Sequence, residues 1–377
     1  MLCQANKNSL LYIKAWKNPL KKTDIKDYSK QELIGWLNDH HISPYRANQI
    51  LKWVYLRQAD SFDLMSDISK ETRSLFFDSF TIGRLETVKV QMSEDHTRKY
   101  LLKLQDGHHV ECVLIPEKDH YTLCVSTQVG CAQGCRFCLT AKNGFVRNLT
   151  TAEILSQIRD VQHHLLSDGE IRYPLSNLVF MGMGEPLANF DNLIRALSII
   201  TDTDYGMKFS TRRVTISTAG LAPMILRLGE STKVNLAISL NATNNKTRDF
   251  LMPINKRYPM ESLLETLKRY PLAARQKITI EYILIKDVND SLEDAKRLTR
   301  LLAPIKAKIN LIPFNEHEGC DFRRPEESAI HAFMGFLLDR NFTAIVRKSK
   351  GNDISAACGQ LNAKVIGEQA VKSFNIS

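Results

Sequence analysis

No stretch of this 377-residue chain approaches the roughly 18 to 20 consecutive apolar residues that a membrane helix needs, and Met1 to Trp16 lacks the apolar core of a secretory signal. A cytoplasmic protein without a membrane partner is therefore expected. There is no low-complexity tract, no block of like charges and no solenoid repeat. With 44% hydrophobic and 24% charged residues, the chain can bury a large core, which excludes disordered, collagen-like and coiled-coil classes.

Acidic residues are the scarcer charge, 41 Asp and Glu against 51 Lys and Arg, leaving a net +10. That excess suits a polyanionic partner such as nucleic acid, although solubility alone would also account for it. Cysteine is not scarce. Eight stand at 3, 112, 124, 131, 135, 138, 320 and 358. In a reducing compartment they point to metal binding, catalysis or burial rather than structural bridges.

Residues 1–95 read as a small helical N-terminal domain with an accessory, RNA-binding role. Ser29-Lys30-Gln31-Glu32 is a capping box opening a helix through Trp36, Ser43-Pro44 sets up a second carrying Ile50, Val54 and Arg57, and a third covers Glu71 to Phe77. Arg46, Lys52 and Arg57 interleaved with Tyr45, Trp53 and Tyr55 suit an RNA-facing surface. The other reading places the rings in a core beneath a solvated charged face. Residues 96–120 read as a β-hairpin linker: Thr97 to Leu104 and Val110 to Ile115 flank Asp106-Gly107, which puts Glu111 and Cys112 on opposite faces of one strand.

From 121 to 361 strands alternate with amphipathic helices, and 362–377 is a C-terminal tail. Strands are expected at Leu123–Ser126, Asn177–Met181, Arg213–Ser217, Asn235–Leu240, Ile278–Leu284, Ile309–Ile312 and Ala344–Arg347. Right-handed βαβ crossovers between them make the fold class α/β, a partial (βα)6 barrel with its reactive groups at the C-terminal strand ends.

Cys131-Ala-Gln-Gly-Cys135-Arg-Phe-Cys138 follows the first barrel strand. Such spacing lets a compact loop aim three thiolates at one inorganic centre, as in iron–sulfur proteins. Three ligands leave a cubane cluster one short, and an iron without a cysteine can chelate a small molecule. Zinc, with Cys124 or a histidine as fourth ligand, is the alternative, weakened because no second C-x-x-C pair exists. A ferredoxin-like carrier would need four cluster thiolates.

C-x3-C-x2-C with an aromatic residue before the last cysteine resembles the signature of the radical S-adenosylmethionine (SAM) enzymes. The flanking Thr122-Leu-Cys124-Val-Ser-Thr-Gln and Gly144-Phe-Val-Arg-Asn-Leu are similar to those of the RNA adenine methyltransferases that modify C2 or C8 of adenosine. So are Met181-Gly-Met-Gly-Glu-Pro-Leu-Ala-Asn189, Arg213-Val-Thr-Ile-Ser-Thr-Ala-Gly220, Leu251-Met-Pro-Ile-Asn-Lys-Arg-Tyr-Pro259, Asn310-Leu-Ile-Pro-Phe-Asn315 and Gly351-Asn-Asp-Ile-Ser-Ala-Ala-Cys-Gly-Gln-Leu361. The resemblance implies one [4Fe-4S] cluster on Cys131, Cys135 and Cys138, whose open iron binds SAM. It also implies two SAM molecules per turnover, one the methyl donor and one the source of a 5′-deoxyadenosyl radical.

The same resemblance assigns cofactor contacts to Gly184, Glu185, Ser217, Ser239, Leu240, Asn241 and Asn315. Taken alone, a glycine lets backbone approach a ligand and a carboxylate accepts from an ammonium, while strand-end polar residues more often satisfy backbone. Asn241 departs from the histidine common in the family; it keeps a donor and an acceptor but cannot become cationic. Cys358, by itself a small buried hydrophobe, is implied to accept a methyl group whose carbon radical then attacks adenine, joining protein and RNA through one methylene. Cys124 is implied to be the resolving thiol, able to form a disulfide with Cys358, and Glu111 the proton acceptor, although the hairpin alone makes Glu111 solvent-facing. Cys3, Cys112 and Cys320 match no motif.

The implied reaction is C2 methylation of adenosine in 23S ribosomal RNA (rRNA) and transfer RNA (tRNA), by a monomer reduced by an electron donor such as flavodoxin. C8 methylation is the alternative; Glu185-Pro186 and the long helical N-terminal unit resemble the C2 branch. The adenine must leave its stack to enter a barrel. Arg136, Lys142, Arg147, Arg212, Arg213, Lys256, Arg257, Arg347, Lys348 and Lys350 could line a phosphate-binding rim. Reversing several of these charges together is expected to abolish RNA binding in a gel-shift assay with cluster assembly intact; unchanged binding would refute the rim.

Overall fold

The computed structural model describes residues 22–167, 173–317 and 319–363. Cys3 and most of the C-terminal tail lie outside them. The described residues open with β1 (Thr23–Asp24), followed by α1 (Lys30–Asp39), α2 (Arg46–Tyr55), α3 (Lys70–Ser79) and β2 (Phe80–Thr81), which pairs parallel with β1. The expected capping box forms: Glu32 N donates to Ser29 Oγ at 3.2 Å and Ser29 N to Glu32 Oε2 at 2.8 Å. Leu33, Leu37, Ile50, Val54 and Phe76 are buried where the helices meet. Tyr55 joins that core, which removes it from the expected RNA-facing set.

The main sheet has ten strands in the order β14-β13-β12-β11-β10-β9-β6-β5-β4-β3. Its parallel part is β6 (Tyr121–Cys124), β9 (Leu175–Phe180), β10 (Val214–Thr218), β11 (Asn235–Ser239), β12 (Ile278–Leu284), β13 (Ala307–Pro313) and β14 (Ala344–Val346). Between them run α5 (Thr151–Ser167), α6 (Phe190–Thr201), α7 (Ala222–Ser231), α8 (Asn245–Leu251), α9 (Met260–Lys268), α10 (Leu292–Leu302) and α11 (Glu327–Leu338). A smaller ribbon, β7 (Gln128–Gly130) and β8 (Phe145–Asn148), with the one-turn α4 (Leu139–Lys142) between its strands, follows β6. Residues from β5 through to the end of β14 line one cavity, so the sheet curls into the open α/β barrel expected.

The hairpin is not a separate linker. β4 (Arg98–Lys103) and β5 (His109–Pro116) continue the barrel sheet through β5–β6 pairing, and β3 (Glu86–Met92) adds an edge strand within the span read as helical. Its alternating Val88, Val90 and Met92 carry a strand pattern, but all three stay exposed; the ladder to β4 rather than burial makes this a strand.

The helical unit is locked to the barrel through α5. Buried Arg159 donates from Nε to Val54 O (3.2 Å) and from Nη2 to Ala59 O (2.6 Å) and Asp60 Oδ1 (2.7 Å). Asp160 Oδ2 accepts from Leu85 N at 2.8 Å, and Asp27 Oδ1 accepts from Ala152 N at 2.7 Å in the first turn of α5, where the helix dipole favours an anion. Arg159→Leu removes the donor from two buried carbonyls and should cost roughly 2 to 5 kcal/mol in urea unfolding. A loss below about 0.5 kcal/mol, the usual range for a surface change, would mean that α5 does not hold the unit.

Candidate active site

β6 ends at Cys124, and the chain turns through β7 into the loop that carries Cys131, Cys135 and Cys138. The ribbon closes this loop at its base: Cys131 N donates to Gly144 O at 2.8 Å. Gly130 is required there, because at φ 73° a Cβ would lie 1.9 Å from that same carbonyl oxygen. Phe137, the aromatic residue of the motif, is buried with Leu251, Met252, Ile285 and Phe314, anchoring the loop to the barrel. Arg136 N donates to Leu251 O at 3.0 Å and fixes its other side.

Cys131, Cys135 and Cys138 line a cavity of about 190 Å³ together with Cys124, Gly184, Glu185, Ser217, Ser239, Asn241 and Cys358. Ten residues singled out from the sequence thus converge across five strand ends and a C-terminal segment. Three do not line it. Leu240 is fully buried, and its carbonyl accepts from Arg248 Nε at 3.1 Å. Asn315 sits in an adjoining pocket, where it accepts from Ser349 Oγ and donates to Cys358 O at 3.5 Å. Glu111 is buried just behind the cavity wall rather than solvent-facing.

Burial dominates the electrostatics. It pushes Glu185 up to about 7, against the backbone amides of Ala219 (2.7 Å) and Leu187 (3.0 Å), which donate to its two oxygens. It pushes the Cys124 and Cys131 thiols up to about 12 and raises Cys135, Cys138 and Cys358 as well. All seven described cysteines are free. The disulfide expected between Cys124 and Cys358 is therefore not formed, in keeping with a buried Cys124 thiol that resists becoming the attacking thiolate. Cys358 is exposed, in contrast to the small buried hydrophobe its sequence alone suggests, and its open surface faces the cavity.

The donor set fits an iron–sulfur centre better than zinc. Among the described residues no three His, Cys, Asp or Glu side chains are arranged to hold a single metal ion. Three cysteines around one roomy cavity suit a larger cluster with a vacant position. The cavity also presents an orphaned acceptor. Glu281 on β12 accepts from Asn310 Nδ2 at 3.0 Å through Oε1, while its buried Oε2 has no partner, which suits a ligand bearing hydroxyl or amino groups.

Asn241 has a structural reason to be asparagine. Its φ of 56° is the left-handed conformation that asparagine tolerates, and its Oδ1 accepts from Ile283 N at 2.8 Å, bridging β11 to β12. Of the cations in the expected rim, Arg147 is held by Asp106 (2.6 Å) and Glu153 (2.7 Å), whereas Arg136, Arg212, Lys256 and Arg257 are exposed. In the helical unit Lys52 pairs with Asp204 at 2.7 Å, and Arg57 lies 4.1 Å over the Trp53 ring.

Sequence reasoning missed Gln128, Arg248 and Lys99. Gln128 accepts from Glu185 N at 2.8 Å through Oε1 and donates to Asn148 Oδ1 at 2.8 Å. Arg248 is fully buried and binds the carbonyls of Ala219 (2.7 Å) and Ser239 (3.3 Å), fixing two strand ends. Gln128 could have been found, since it ends the motif segment before the cluster; the other two have only tertiary partners.

Residues 125–299 match the Radical SAM superfamily, and residues 23–82 match the ribosomal RNA large subunit methyltransferase N-terminal domain. The chain is 58% identical over 342 residues to the dual-specificity RNA methyltransferase RlmN of Desulfosudis oleivorans, covering 91% of each chain. It is 55% identical to the protein of the same name from Geobacter sulfurreducens, covering 91% of this chain and 92% of that one. Among solved structures it is similar to a radical SAM methyltransferase from Sphaerobacter thermophilus, with TM-score 0.84, 40% identity, and 91% and 100% of the two chains covered.

Glu185 carries a pH signature. Its ordinary value is 4.5 and its folded value about 7, so its contribution is favourable at low pH and is lost as pH rises through 7. Glu185→Gln abolishes that loss, so the variant's stability relative to wild type should rise by roughly 2 to 3 kcal/mol between about pH 5 and pH 8. Urea unfolding at both values measures it; a constant difference would mean the carboxyl is unperturbed.

Proposed function

The chain belongs to the RlmN family of radical SAM RNA methyltransferases, and on that premise we propose that it methylates C2 of adenosine in 23S rRNA and tRNA through a methylated cysteine. The observation that carries this reading is that Cys358, from the far end of the chain, lines the same cavity as Cys124 and the three motif cysteines. C2 of adenine is an electrophilic carbon that ordinary methyl transfer cannot functionalise. A second sulfur close to the cluster loop answers that need.

Cys131, Cys135 and Cys138 would hold the [4Fe-4S] cluster, which when bound supplies reductive cleavage of SAM to the 5′-deoxyadenosyl radical. Glu185, fixed by two amides, would accept the SAM ammonium; pairing with that cation favours the carboxylate that burial disfavours. Cys358 would take the methyl group of one SAM and carry its carbon to the adenine after a second SAM has provided the radical. Glu111 would receive the ring proton, its carboxyl already raised by burial toward a useful range. Cys124 would then attack the Cys358 sulfur, forming a disulfide as the sulfur–methylene bond breaks; the electron pair of that bond passes to the methylene carbon, which takes up a proton to become the methyl group, and the electron donor returns the disulfide to two thiols. Desolvation raises both the Cys124 and Cys358 thiols, and Arg347, which lines the cavity, partly opposes that rise through its positive charge.

The exposed cations beside the cluster loop and the N-terminal unit would bind the RNA backbone while one nucleotide is flipped inward. A monomer reduced by flavodoxin or a similar donor completes the proposal. No helix among the described residues is long and apolar enough to cross a membrane.

Nucleoside mass spectrometry decides the reading. Unmodified rRNA and tRNA are incubated anaerobically with reconstituted protein, SAM and a reductant, and 2-methyladenosine is expected from wild type but not from Cys358→Ala. Finding 8-methyladenosine instead would assign the other branch, and activity retained in Cys358→Ala would overturn the methyl-cysteine route.

A further inference from the structure

The segment that carries Cys358 is clamped along its length. Asp95 Oδ2 accepts from Gly351 N at 3.1 Å, Asp353 accepts from Ser93 Oγ at 2.5 Å and from Glu94 N at 3.1 Å, and Leu139 N donates to Gly359 O at 2.7 Å. Two further contacts differ in kind, because they lead to a titratable pair. Lys99 on β4 donates from Nζ to Ser355 O at 3.3 Å and pairs with Glu111 Oε1 at 3.3 Å, while Glu111 Oε2 accepts from Asn362 N at 2.7 Å. Lys99 and Glu111 are diagonal neighbours across the β4–β5 ladder, and both are buried. Together they grip the segment three residues before Cys358 and four residues after it.

We infer that Lys99 is a positioning residue that couples the charge on Glu111 to the placement of the Cys358 segment. A buried ammonium needs its counter-charge, and a buried carboxylate accepts an amide more strongly than a neutral carboxyl does. While Glu111 is ionised, both grips hold and Cys358 stays at the cavity. Once Glu111 carries a proton, Lys99 faces a neutral partner, and the Ser355 and Asn362 contacts weaken together. The segment then loosens on both sides of Cys358 at the stage when Cys124 must reach its sulfur. The sequence of events rests on the role proposed for Glu111; the coupling of charge to segment does not.

Lys99 is the charge that acts on Glu111. Of the thiols packed nearby, Cys112 on the opposite face of β5 and Cys124 on β6 are buried, which raises both, and Cys358 opens to the cavity; none of the three is a charge that acts on Glu111. Burial raises the Glu111 carboxyl and Lys99 opposes that rise. Removing the ammonium should therefore move the Glu111 titration to higher pH.

The test compares full-length, cluster-reconstituted wild type, Lys99→Met and Lys99→Arg. The acid limb of the pH profile for 2-methyladenosine formation should move up by roughly one to three pH units in Lys99→Met and return in Lys99→Arg. Hydrogen-exchange protection of residues 351–362, corrected for intrinsic rates, should fall roughly ten- to a hundredfold in Lys99→Met and in wild type below its acid limb. Activity lowered equally at all pH values, with protection unchanged, would reduce Lys99 to a structural residue and overturn the coupling. Should Lys99→Met fail to fold, Glu111→Gln decides by exchange alone: its segment protection must be low and independent of pH, and wild-type protection would refute the proposal. If wild type makes no 2-methyladenosine, the proposed function fails while the exchange measurement still rules on the coupling.

Discussion

The site depends on a C-terminal segment being tied to the cluster loop and to β5 across the mouth of the barrel. Leu139 N to Gly359 O, Thr140 Oγ1 to Leu361 O and Asn362 N to Glu111 bring a C-terminal segment without regular structure against the cluster loop on one side and β5 on the other. Backbone buried without such partners is costly, so a segment of this kind keeps its place only where neighbouring elements supply donors and acceptors. The one-turn helix after Cys138, the turn before β4, and Lys99 and Glu111 on β4 and β5 supply them. Without these ties Cys358 would have no fixed relation to Cys124, and the cavity would lose a wall.

The carboxyls and thiols that line the same cavity are all perturbed. Burial raises carboxyls and thiols alike, and each then needs a specific compensation: amides at Glu185, an ammonium at Glu111, a guanidinium near Cys124 and Cys358. The groups that provide compensation come from elements far apart in sequence. Perturbed groups gathered in one cleft are the physical mark of a reactive site, and here they coincide with the motif that carries the family resemblance.

The barrel was legible because parallel strands buried on both faces are short apolar runs separated by amphipathic helices. Ile278–Leu284 was found residue for residue, and Asn235–Ser239 to within one residue. The cluster cysteines were legible because their ligand spacing is local. The edge strand Glu86–Met92 was not read, since its apolar side chains find no core and its strand state comes from pairing with β4. The hairpin is legible from its turn, but a turn signal says nothing about which sheet its strands will join, so its place in the barrel sheet is not.

The sequence by itself determined the alternation of strand and helix and the three-cysteine loop, which are written in local spacing, and the family, which its motifs resemble. Only the tertiary structure decided the rest. Glu111 is buried rather than solvated because β6 and the C-terminal segment cover the hairpin; Asn241 bridges two strands because its backbone is left-handed; and Leu240 and Asn315 serve the scaffold instead of the cavity wall. Burial and pairing are set by residues distant in the chain. A side chain's chemistry at such a site follows from what the fold packs around it, which no local pattern records.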